Sequence, residues 1–175
     1  MTIKPPKGKR PYAGTAVPIE RTKGQITELL RSYGAVGVQW TDRFDTGEVQ
    51  LQFAVTREDG GAIQFRITPA AFKEKHSTWN SLKGKHETVE APDWPRSMRL
   101  LLAWLKTKLE SIAFGLTAVE EEFLAHTVIR DAAGRETTVG ELILPAIEEG
   151  GGRLMLEPAR RKADDAVDAN ARLVG

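Results

Sequence analysis

The chain has 175 residues, 41% of them apolar, with a formal net charge of +1: enough for one compact core, and too balanced for a nonspecific DNA binder that relies on many phosphate contacts. It contains no cysteine, which excludes disulfides, thiolate zinc sites and cysteine nucleophiles. No run of about 18 apolar residues occurs and the basic N-terminus lacks the apolar stretch of a signal peptide, so the expectation is a cytoplasmic protein with no membrane partner.

The charge is nonetheless uneven. Residues 1–110 hold 18 Lys+Arg against 12 Asp+Glu, a surplus of +6, and the remainder hold 7 against 12, a deficit of −5. Any nucleic-acid site therefore has to be local.

Residues 1–14 combine Lys4, Lys7, Lys9 and Arg10 with Pro5, Pro6 and Pro11, a composition that buries little and predicts a flexible basic arm. A single domain is expected over 15–152. It starts with a short helix: Thr22 and Gln25 stand at capping-box spacing, Ile26, Leu29, Leu30 and Tyr33 form an apolar stripe, and Gly34 suits the left-handed residue past the last turn. From Ala35 to Thr68 the apolar period falls to two. Val36, Val38 and Trp40, then Val49, Leu51, Phe53 and Val55, then Ile63, Phe65 and Ile67 share one face. Asp45-Thr46-Gly47 and Glu58-Asp59-Gly60-Gly61 supply turn chemistry, so a three-stranded antiparallel meander is predicted. Its other face carries Gln39, Thr41, Gln50, Gln52, Gln64, Arg66 and Thr68. That face reads either as solvated surface or as a contact for nucleic acid or protein in which Arg66 takes part.

Residues 69–92 show no period and read as a basic loop. Lys73, Lys75, His76, Lys83, Lys85 and His86 surround Trp79, with Trp94 close by. Cations interleaved with indoles suit phosphates plus stacked bases, since stacking contributes about 1–3 kcal/mol per base. The plainer reading is a solvated loop anchored by its tryptophans.

The strongest local signal runs from Asp93 to His126. Asp93 is placed to cap a helix, with Pro95 in the first turn where its missing N–H costs nothing. Met98, Leu101, Leu102, Leu105, Leu109 and Ile112 form one stripe, flanked by Arg96, Arg99, Lys106 and Lys108. Gly115 ends this helix, and Thr117 with Glu120 marks the start of another, from which Val119, Phe123 and Leu124 face inward. Glu120, Glu121 and Glu122 fall in its first turn, where the helix dipole favours acids by roughly 0.3–1 kcal/mol each. After Thr127–Ile129, a short strand or helix end, Thr138 with Glu141 repeats the capping spacing. Val139, Leu142, Ile143 and Ile147 make the inner stripe of this last helix, Pro145 bends or shortens it, and Gly150–Gly152 stop it. Residues 153–175 are expected to form a loosely ordered tail. The fold class is α+β: a three-stranded meander packed against a long helix, with further short helices.

Catalytic constellations are sparse. Glu122 and His126, four apart on a predicted helix face, could bind a metal or exchange a proton, but catalytic zinc needs three protein ligands and His76 and His86 lie in the loop. Glu121 and Glu122 as an acid–base pair would need divergent pKa values. Neither a nucleophile elbow nor a phosphate loop occurs. No catalytic residue, metal or cofactor is assigned, and a nonenzymatic role is favoured.

The segments VPIERTKGQITELLRSYGA, RSMRLLLAWLKTKLESIAFGLTAVEEEFLAHTVI and GRETTVGELILPAIEEG resemble a family of small uncharacterised proteins of tailed phages, prophages and related mobile elements, over most of residues 17–149. The resemblance implies a mobile-element setting and a shared fold, and brings no catalytic residues with it. The first functional expectation is a nucleic-acid-associated accessory protein that contacts single-stranded or branched DNA through the arm and through Arg66, Lys73, Lys75, Trp79, Lys83, Lys85, Arg96 and Arg99. The second is an adaptor, or an inhibitor of a host factor, that meets a host or phage protein through the acidic helix or the polar sheet face.

Overall fold

A computed structural model describes residues 11–150 except Glu58 and Ala132. The elements are α1 (Ile19–Ser32), β1 (Ala35–Arg43), β2 (Glu48–Thr56), β3 (Ala62–Ile67), β4 (Phe72–Asn80), β5 (Lys85–Asp93), α2 (Trp94–Ala113), the single helical turn α3 (Val119–Glu122), a 3-10 turn at Leu124–His126, β6 (Val128–Arg130), β7 (Glu136–Thr138) and α4 (Val139–Gly150). The protein is α+β. The arm expected over 1–14 enters the described residues only at Pro11, and the tail expected over 153–175 lies outside them.

Strands β1, β2 and β3 pair antiparallel in sequence order, with Trp40 opposite Leu51 and Phe53 opposite Phe65. One face of this sheet meets α1 and α2. Ile26 and Leu30 of α1, Val49, Leu51, Phe53, Phe65 and Ile67 of the sheet, Met98, Leu101, Leu105 and Leu109 of α2, and Phe123 form a single buried cluster. The stripe predicted on α2 is thus the core stripe. Asp93 caps it as its sequence suggests, its Oδ1 accepting the Arg96 N–H at 3.1 Å. Gly115, at φ +72°, follows the last turn in the left-handed conformation that a side chain disfavours.

Several local expectations give way to stronger competitors. Val36 is exposed, because a bulge between Ala35 and Gly37 shifts the phase of β1 and puts Ala35 against the core instead. Helix α1 begins four residues earlier than a cap at Thr22 would require, with Pro18 at the N-cap. Thr22 is buried in the second turn, and its hydroxyl donates back to the Pro18 carbonyl at 3.4 Å. The helix expected from Thr117 shrinks to one turn, in which Glu121 rather than Glu120 reaches back to the Ala118 N–H at 3.4 Å. Phe123 is buried as expected; Leu124 is exposed, since the 3-10 turn rotates it away from the helical phase.

The largest difference concerns the loop over 69–92. Strands β4 and β5 form a two-stranded antiparallel hairpin, separate from the main sheet, with Thr78 opposite Glu87 and Lys75 opposite Glu90. It has no apolar period because most of its side chains on both faces are exposed, so alternation leaves no hydrophobic trace. Its turn is set by Asn80, whose side-chain oxygen accepts from Leu82 N at 3.0 Å and Lys83 N at 3.2 Å, and by Gly84 at φ +59°.

The capping box at Thr138 is present in full. Thr138 N donates to Glu141 Oε2 at 2.9 Å, and Glu141 N donates to Thr138 Oγ1 at 3.2 Å. The chain divides into two compact units between Glu141 and Leu142. In the second unit Leu142 and Ile147 are exposed, not an inner stripe.

Candidate nucleic-acid interface

Side chains of a strand alternate between faces, so Lys73, Lys75, Ser77 and Trp79 share one face of the β4–β5 ribbon, with Pro92, Glu90, Thr88 and His86 opposite them. Lys73 to Trp79 spans about 20 Å at roughly 3.4 Å per residue. The Trp79 and His86 rings meet edge to face at 5.1 Å, and Ser77 Oγ lies 3.2 Å from His86 Nδ1. Trp79 is 56% exposed, so its ring is available to a ligand. Lys73 also lines a cleft of about 390 Å³ with Trp94, Glu48 and Glu90. Lys85 lies on the other face of the ribbon. Lys83 is in the turn and pairs with Glu87 at 2.9 Å; hydrogen bonds from Asn80 and Lys83 hold the Glu87 carboxyl below the usual range.

The second cationic group is on α2. Arg96 Nε donates to the Pro11 carbonyl at 2.9 Å, and its guanidinium lies over the Phe72 ring at 4.5 Å. Arg99 Nη1 donates to Gln25 Oε1 at 2.8 Å, with its guanidinium 5.8 Å from the Tyr12 ring. Both partners are uncharged, and neither arginine makes an ion pair among the described residues. A hydrogen bond to a neutral oxygen fixes a guanidinium without cancelling its charge. The two arginines also hold the turn at Pro11–Gly14.

Arg66 does not belong to this surface. Its Nη2 is 2.8 Å from Glu141 Oε2, its side chain is largely buried, and its Nε is buried without a partner. Glu141 collects hydrogen bonds from Thr138, Thr137 and Arg66; burial works against its ionisation, yet these bonds hold its carboxyl below the usual range. Edge strand β3 thus uses Arg66 to tie itself to the start of α4.

The acidic segment has structural partners too. Glu122 pairs with Lys108, whose ammonium also lies over Trp104 at 4.9 Å, and Glu121 takes up the Ala118 N–H. His126 stacks edge to face on Trp104 at 5.6 Å. Burial foremost lowers its imidazole below the ordinary value of 6.5; a backbone hydrogen bond with Arg66 opposes this, and the charge of Lys108 adds a smaller push downward. The Glu122 carboxylate is thus directed at Lys108, not at His126. Among the described residues no group of three or more metal-ligating side chains converges, and no helix is long and apolar enough to cross a membrane.

Tyr12 was not singled out in the sequence, and Gln25 only as the capping partner of Thr22. Tyr12 is the one described residue other than glycine with positive φ, at 56°. Its signal, a Pro-Tyr-Ala-Gly turn inside a segment that otherwise reads as an unstructured arm, is weak on its own. Comparison of the chain with protein-family models, with curated proteins and with solved structures gives no match.

Proposed function

We propose that the chain is a nonenzymatic, nucleic-acid-associated accessory protein of a phage or related mobile element, acting in the cytoplasm of the host cell. The observation that carries this reading is the pair Arg96 and Arg99, two guanidiniums fixed by uncharged acceptors; the sequence adds Lys4, Lys7, Lys9 and Arg10, with no acid before Glu20. Lys73, Lys75 and Trp79 on one ribbon face supply a second contact of the same chemistry, two cations followed by a stacking surface. Single-stranded or branched DNA fits such scattered patches better than long duplex, whose continuous charge rewards a continuous basic face.

The test is a salt titration of binding to single-stranded, branched and duplex oligonucleotides. Affinity should fall as salt rises, and Arg96→Gln with Arg99→Gln should lower the slope of log K against log salt by about 2 without changing the melting temperature. No binding at low salt to any DNA or RNA would refute the reading.

One feature favours a second reading, a protein-interaction module whose partner is a host or phage protein. The hairpin carries four Lys against four acids, and it exposes Trp79, Leu82 and Val89. Balanced charge with exposed apolar side chains suits a protein surface better than a polyanion. Retention of a protein partner after nuclease treatment of a host lysate would favour this reading, and loss of all bound material would favour the first.

A further inference from the structure

Beside Arg99 the surface holds a groove of about 590 Å³ between α1 and α2, whose lining includes Tyr12, Gln25, Glu28, Arg99, Leu102 and Lys106. Its volume is in the range of sites for small organic ligands. Tyr12 stands on its rim in the left-handed region at φ 56°, a conformation that a bulky side chain adopts only when its surroundings impose it, and one that concentrates at ligand sites. The surroundings here are Arg96 on the Pro11 carbonyl and Arg99 against the ring. The ring is 41% exposed, so these contacts leave much of its face to solvent.

We infer that this groove is a nucleotide subsite: Tyr12 stacks an unpaired base, and Arg99 takes the adjoining phosphate. The inference rests on the nucleic-acid reading and adds to it a site and a preference for unpaired strands. Three properties converge on that ligand. An exposed aromatic face accepts any base by stacking. A guanidinium bound only to an amide oxygen keeps its charge for a phosphate. Glu28, on the same lining but 3.7 Å from Arg31, disfavours a bare anion and so makes the base contact matter. A base inside a duplex is stacked on both sides and cannot reach a rim tyrosine, whereas a single strand can turn one base outward.

Tyr12→Gly is the informative variant, because glycine takes φ 56° without strain while removing the ring; Tyr12→Asn, which also tolerates that conformation, guards against a local effect of glycine. The full chain is titrated with a labelled single-stranded DNA, a single-stranded RNA of the same sequence and a duplex. Expected are an unchanged or higher melting temperature, a loss of single-strand affinity on the order of tenfold with an unchanged salt slope, no change for duplex, and recovery in Tyr12→Phe. Arg99→Gln should instead lower the salt slope by about 1. Equal loss on DNA and RNA supports shared base and phosphate recognition, and loss on one alone assigns the subsite to that nucleic acid. Single-strand affinity unchanged in Tyr12→Gly, or lost equally for duplex, overturns the subsite while leaving the proposed function standing. Failure of the parent protein to bind any of the three overturns the subsite, and failure on branched DNA as well overturns both.

Discussion

Phe123 and Leu124 are adjacent, both apolar, and opposite in environment, and they give the sharpest test of the packing. Phe123 is fully buried, with ring centroids of Phe65, Phe53 and Trp104 at 5.3, 5.4 and 5.9 Å, so it joins the short α3 turn to β2, β3 and α2. Truncation to alanine removes about 100 Å² of buried apolar surface, worth about 2.5 kcal/mol at 25 cal/mol per Å². The unfilled space left among three rings raises the expected loss to about 4 kcal/mol, within the range for buried Phe→Ala changes. Leu124 is 56% exposed, and its truncation should cost no more than about 0.5 kcal/mol. Urea unfolding followed by tryptophan fluorescence measures both, with Trp104 as an internal reporter, and melting temperature should fall by roughly 8–16 °C for Phe123→Ala. A loss under about 1.5 kcal/mol for Phe123→Ala, or an equal loss for Leu124→Ala, would show that the turn after Glu122 does not seat its aromatic ring as described.

Two further perturbations probe the edge of the same core. A Cβ on Gly140 would lie 2.8 Å from the Ala125 carbonyl oxygen, a backbone atom that cannot step aside, so Gly140→Ala should destabilise by about 1–3 kcal/mol; a denaturation midpoint equal to the parent would disprove the close approach. For pH, the folded His126 sits below its ordinary value, so the unfolded chain binds the extra proton and stability falls as pH drops through 6.5 toward the folded value. Glu141, held below 4.5, keeps its contribution above that pH and loses it as pH falls further. Unfolding free energies across both windows should show the first loss vanish in His126→Gln; its persistence would assign that loss to another group.

How much of this was written in the sequence depended on whether burial left a pattern. The core stripe of α2, its Asp93 cap and Gly115 were all readable, because a helix that packs on a sheet repeats its apolar residues every three or four positions. The meander was readable for the same reason at period two, apart from the one-residue bulge that turned Val36 outward. The β4–β5 hairpin was not, since strands exposed on both faces carry no hydrophobic alternation, and its turn is set by hydrogen bonds to the Asn80 side chain that composition does not reveal. Among the site residues, charge type was readable but pairing was not. Arg66 and Lys83 looked the same in sequence as Arg96 and Lys73, and only the chain's return brought Glu141 to one and strand pairing brought Glu87 to another. Tyr12 was hidden because backbone strain has no compositional mark.

The hairpin's separation from the main sheet bears on how freely its sequence can vary. None of its residues from Lys73 to Glu90 belongs to the buried cluster, so their identities are uncoupled from the folding of the body. Such a ribbon can change length, charge or tip sequence at little cost to the packing of the rest of the molecule.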